Sequence, residues 1–116
     1  MGWQLKQWPS VVADFLKEVG VEGEARIFRD LRKMAELGHR FRGDTKSLGR
    51  ALFELRVSHK RRAFRLIYVH HAETAVFLVC FEKKSQKTPK AEIDLAHDRH
   101  TQLVNQEVQL GRVTIN

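Results

Sequence analysis

Four cations lie close enough in sequence to make one anion site: Arg56, Arg65, Lys83 and Lys84. Arg65 is the only charged residue inside the otherwise apolar run RAFRLIYVH at 62–70, beyond Arg62 at its start. A charge in such a run costs free energy unless it is paired or faces a cleft. Arg56 falls on the polar parity of ALFELRVS at 51–58, opposite Phe53, Leu55 and Val57. Lys83 and Lys84 come where the run 74–82 ends, with Lys87 and Lys90 close behind. Adjacent antiparallel strands would gather these groups into a basic hollow. Such a hollow suits phosphate: arginine offers a planar fork and lysine a compact charge. RNA also carries its own nucleophile, the 2′-hydroxyl. A protein then needs only to orient that hydroxyl, take its proton, stabilise the charge on phosphorus and protonate the leaving 5′-oxygen. Crowded cations depress a lysine's pKa, so one lysine can serve as the base. The plainer readings are an Arg65–Glu54 pair across neighbouring strands and a solvated lysine loop.

The charge distribution points the same way. The chain has 116 residues and a formal charge of +7. Residues 1–38 and 66–116 are each neutral overall, so the excess lies in 39–65, which holds nine basic and two acidic residues. Lys60, Arg61 and Arg62 form its densest run and are expected to steer a polyanion, as is Lys87. His59, beside that run, is an acid or base candidate, although a turn histidine is more often a surface residue. Tyr68 could stack a base, but in a central strand it reads as core. Trp3 and Trp8 read as packing.

Other chemistries find no support. Cys80 is the only cysteine, so there is no disulfide framework. It sits in the most apolar strand and reads as inert packing. His97 and His100 lack a carboxylate or cysteine partner at ligand spacing, so no metal site is expected. There is no Gly-rich phosphate loop, nucleophile elbow or Cys-x-x-Cys, and no cofactor is expected. The longest apolar stretch, 75–81, is far short of the roughly 20 residues of a membrane span. MGWQLKQWPS has no apolar run long enough for a secretory leader, so the expected setting is cytoplasmic.

The elements that must position these groups follow from periodicity. WQLK at 3–6 alternates and continues to Gln7, which fits a short edge strand. After Pro9, Val11, Val12, Phe15, Leu16 and Val19 form a helical stripe that stops at Gly20. Ala25, Phe28, Leu31 and Ala35 form a second, with Gly38 as its cap. Residues 39–50 are polar and read as a loop. Residues 51–58, 62–70 and 74–82 read as three strands joined too tightly for a crossover, hence an antiparallel meander. Thr88 is the expected N-cap of a third helix running from Pro89 to about Asn105, with Ile93, Ala96, Leu103 and Val104 on its apolar side. The tail 106–116 reads as a mobile terminus or as a short strand through Val113 and Ile115. The expected fold class is α+β in one domain over 1–116: two N-terminal helices, an antiparallel β-meander with an optional N-terminal edge strand, and a C-terminal helix, with all helices on one sheet face.

Three segments, LGRALFELRVS at 48–58, FRLIYV at 64–69 and FLVCFEKKSQKTPKAEIDLAHDR at 77–99, resemble the RelE/HigB-like toxins, especially their phage-derived subfamily. The resemblance spans roughly residues 9–105, and the last segment is its most specific part. It implies the RelE-like fold. It also implies a toxin of a type II toxin–antitoxin pair, an endoribonuclease that cuts mRNA, usually on the ribosome and without metal. The implied partners are mRNA, the ribosome and a cognate helix-turn-helix antitoxin in a hetero-oligomer. By position, Arg56, Arg65, Lys83 and Lys84 match the family's basic residues. Two departures stand out: Phe64 occupies a position that is commonly Tyr, and no Tyr or His follows Asn105. The alternative reading is a non-catalytic basic module that binds RNA or an antitoxin, such as an inactive prophage relic.

Overall fold

The computed structural model describes residues 2–84 and 87–115. The chain runs β1 (Gln4–Gln7), α1 (Val11–Glu18), α2 (Gly20–Leu37), a 3-10 turn (Gly38–Arg40), β2 (Thr45–Gly49), β3 (Leu52–His59), β4 (Arg62–His71), β5 (Thr74–Glu82), α3 (Lys90–Val104) and β6 (Gly111–Arg112). The six strands form one sheet in the order β2-β3-β4-β5-β1-β6. The architecture is α+β with a RelE-like arrangement, and β3-β4-β5 is the expected antiparallel meander. Among the described residues no helix is long and apolar enough to cross a membrane.

The two helical stripes bury Phe15, Leu16, Ile27, Leu31 and Met34 against Leu55, Val57, Phe64, Leu66, Tyr68 and Phe77. Gly20 (φ 86°) lets α2 begin one residue after α1 is capped at Val19. Gly38 closes α2 at φ 54°, its N–H donating to the Met34 carbonyl.

Four expectations need correction. First, α3 does not share the face of α1 and α2. It packs on the other face, where Ala96 joins Leu52, Ile67, Val69, Val76, Leu78, Val79 and Phe81. The cause is a β-bulge: Ile67 pairs with Val79 but Tyr68 pairs with Phe77, leaving Leu78 extra. Leu78 and Val79 therefore both point toward α3, and Val104, expected on its apolar side, is exposed. Second, residues 45–49 are not loop. They form the outer strand β2, whose mostly exposed, polar residues suit a sheet edge. Third, β1 is not at the edge. It pairs in parallel with β5, and the tail supplies β6 on its other side. A side chain at Gly111 would strike the Pro9 carbonyl, so this approach requires glycine. Fourth, Thr88 does not cap α3. Pro89 occupies that position and makes no side-chain cap.

Candidate functional site

Directly opposed residues of antiparallel strands share a face. Arg56 pairs with Arg65, and Arg65 with Phe81. One step inward, Lys46 of β2 pairs with Glu54. One step outward, the Lys83 N–H donates to the Ala63 carbonyl and continues the ladder past β5. Strand parity therefore turns Lys46, Glu54, Arg56, Arg65 and Lys83 to the face away from α1 and α2. The α3 helix packs on that face through Ala96, and Thr88, just before α3, reaches Glu54 on it.

The hollow has a buried floor and a wet rim. Arg65 is 6% exposed and Glu54 1%. The Arg65 Nη1 donates to the Phe64 carbonyl at 2.9 Å. Its Nε stands 3.7 Å from Glu54 Oε1 and has no hydrogen-bond partner among the described residues. Glu54 Oε2 accepts from the Thr88 hydroxyl at 2.7 Å. At the rim, Arg56 Nε lies 3.8 Å from Asp44 Oδ2. Burial pulls the Arg65 guanidinium below its ordinary value, opposed by Glu54 and reinforced by Arg56. Desolvation also lowers Lys83, helped by Arg65, Arg56 and Lys46 and opposed by Glu54. Four cations thus face one buried carboxylate and the rim carboxylate of Asp44. The unbalanced positive charge and the forked donors suit a phosphodiester.

The other sequence-predicted residues sit elsewhere. Lys84 is exposed and lies 3.6 Å from Glu82 Oε2. Arg62 makes two hydrogen bonds to Glu82, at 2.9 and 2.8 Å, and donates to the Val19 carbonyl at 2.6 Å. It also lies over the Phe64 ring. It therefore joins the α1–α2 corner to the end of the sheet, and the bond to Glu82 raises its pKa while lowering that of the carboxyl. Lys60 pairs with Glu22 of α2 at 3.3 Å, and His59 stands 3.7 Å from the same carboxylate, away from the hollow. Arg61 and Lys87 are exposed on loops at the same end of the sheet. Tyr68 is core, and burial pushes its phenol up to about 12. Cys80 is likewise raised by burial. Among the described residues no three His, Cys, Asp or Glu side chains cluster to hold a metal ion.

Sequence reasoning gave no site role to Lys46, and it read Glu54 only as a competing pair and Thr88 only as a cap. Lys46 was hidden because its strand reads as loop. The signal for Glu54 was present: it is an acid at a parity that its neighbours on β4 and β5 fill with apolar residues.

A cavity of about 660 Å³ lies on the helical side and is lined by Arg26, Arg29, Asp30, Lys33, Phe41 and Arg42 among others. Burial raises Asp30 there. Its four cations stand against three carboxylates, Asp30, Glu36 and Asp44, a smaller excess of positive charge than in the hollow.

A family model described as phage derived protein Gp49-like (DUF891) matches residues 14–101. The match spans α1 through most of α3 and includes every residue of the hollow, leaving out β1 and β6. No curated protein matches the chain.

Proposed function

The chain belongs to the phage-derived Gp49-like protein family, and from that membership and the basic hollow we propose that it is a RelE/HigB-like toxin of a type II toxin–antitoxin pair, acting in the cytoplasm as a ribosome-dependent mRNA endoribonuclease. The observation that carries this reading is Arg65, a buried cation held on a sheet face with Arg56 and Lys83 beside it. Arg65 and Arg56 hold the nonbridging oxygens of the scissile phosphate. Lys83 takes the proton of the 2′-hydroxyl, whose oxygen attacks phosphorus as the bond to the 5′-oxygen breaks. The products are a 2′,3′-cyclic phosphate and a 5′-hydroxyl, the leaving oxygen taking its proton from a cation of the hollow or from water. The attacking oxygen belongs to the RNA, so this route needs no metal. Lys84, Lys60, Arg61 and Lys87 act at longer range by drawing RNA to this end of the sheet. The proposed partner in the resting complex is a helix-turn-helix antitoxin.

Expression of the wild-type chain without an antitoxin is expected to arrest growth and cut mRNA, and Arg65→Ala to abolish both at equal protein level. Normal growth with intact mRNA under wild-type expression overturns the reading. Salt-sensitive RNA binding without cleavage would instead favour a non-catalytic binding module.

A further inference from the structure

Glu54 is out of place by composition. Its neighbours on that face, Leu52, Ile67 and Phe81, are buried apolar residues. A lone carboxylate buried among them would be costly, so its partners must compensate. One is Arg65, 3.7 Å away at Nε. The other is Thr88, 34 residues later, whose hydroxyl reaches Glu54 Oε2 at 2.7 Å. Thr88 stands just before α3, where a threonine ordinarily caps the exposed amides. Here α3 starts without a side-chain cap, because that hydroxyl is committed to Glu54. A local rule is broken at the site and nowhere near the core of the helix, which is where functional constraints override local preference.

The consequences are geometric. The Arg65 guanidinium is held at Nη1 by the Phe64 carbonyl, and its Nε faces the Glu54 carboxylate at ion-pair distance without a hydrogen bond. Lys83 is tied by its N–H to the Ala63 carbonyl, and Thr88 by its hydroxyl to Glu54. Glu54 is therefore buried behind Arg65 and its outer oxygen is occupied, which leaves it poorly placed to take a proton from substrate.

We propose that Glu54 and Thr88 are positioning residues, a latch that sets the orientation of Arg65 and anchors the start of α3 beside it. This rests on the RNA-cleavage reading for its effect on rate, but the latch itself can be observed without it.

The test uses Thr88→Val, which removes the donor at equal size, Thr88→Ser, which restores it, and Glu54→Gln, which keeps an acceptor but loses the charge. Steady-state cleavage of mRNA on ribosomes gives kcat and KM, and exchange of the Arg65 Nε–H is followed by nuclear magnetic resonance. Thr88→Val is expected to keep KM and lower kcat roughly 10- to 100-fold, the cost of a displaced reacting geometry. Thr88→Ser is expected to restore kcat. Arg65 Nε–H exchange should accelerate in Thr88→Val and Glu54→Gln. Wild-type kcat in Thr88→Val, or a loss that Thr88→Ser does not restore, overturns the latch. Should the wild type cleave nothing, the functional reading falls separately, and the exchange measurement decides the latch alone: equal rates in all variants overturn it.

Discussion

Lys83 and Lys84 are adjacent and chemically identical, yet one step of strand parity gives them different surroundings. Lys83 faces Arg65, Arg56 and Lys46, and desolvation with those charges lowers its pKa. Lys84 sits beside Glu82 on the other side of the strand end. A general base must be deprotonated to act, so a lowered pKa brings the active form into play at lower pH. The expected pH profile of kcat rises with pH and levels off below the ordinary lysine range. Lys83→Arg should flatten that rise, whereas Lys84→Ala should leave it in place. A profile that moves with Lys84→Ala and not with Lys83→Arg would reassign the base. Arg56 was legible from strand parity, and Arg65 as the one charge inside a run that is apolar on both faces. The choice between Lys83 and Lys84 was not legible, since β5 ends at Glu82 and only the Lys83–Ala63 backbone bond carries the phase onward.

At the level of elements, Gln7 shows how α1 is seated. Its side chain is buried at the end of β1, accepts the N–H groups of Val12 and Ala13 at 2.8 and 3.1 Å, and donates to the Arg112 carbonyl at 2.8 Å. It does the work of an N-cap for a helix whose own Ser10 makes no cap and bonds Asp14 instead. One amide thus ties β1, α1 and β6 together. Gln7→Leu leaves two helix N–H groups and one carbonyl without that partner and is expected to cost about 1–3 kcal/mol in urea unfolding at unchanged m-value. Ser10→Ala should stay within about 0.5 kcal/mol. A neutral Gln7→Leu would show that water replaces these bonds. The elements that sequence revealed are those whose stability is periodic and local: α1, α2 and the meander. Those it missed are set by distant partners. β2 is polar on both sides and becomes a strand only because β3 offers an edge. β6 answers to the strand reading of the tail, but it falls at Gly111–Arg112, ahead of Val113 and Ile115, because that is where β1 pairs with it. The face taken by α3 depends on the Leu78 bulge, whose carbonyl accepts from Arg99 of α3 at 2.7 Å, and no run of apolar residues announces a bulge.

Across the whole molecule, the formal charge of +7 arises in residues 39–65, which the fold spreads over both faces of the sheet. On the helical side, Lys60 and Arg62 are matched by Glu22 and Glu82. On the other side, Lys46, Arg56, Arg65 and Lys83 outnumber Asp44 and Glu54, so the hollow is where a phosphate chain can displace its counterions. Single-stranded RNA loses affinity with salt at a logarithmic slope of about −0.7 per neutralised phosphate, so four engaged cations give about −3. Binding of a 2′-O-methyl oligoribonucleotide, which cannot supply the nucleophile, isolates this contact from cleavage. Lys46→Ala is expected to reduce the slope by about 0.7, because Lys46 is exposed at the rim and its loss disturbs no core contact. Lys60→Ala should leave the slope unchanged, since Lys60 draws RNA from a distance and contacts no phosphate in the hollow. The reverse pattern, a slope that responds to Lys60 and not to Lys46, would place the RNA on the β3–β4 turn and move the site off the hollow.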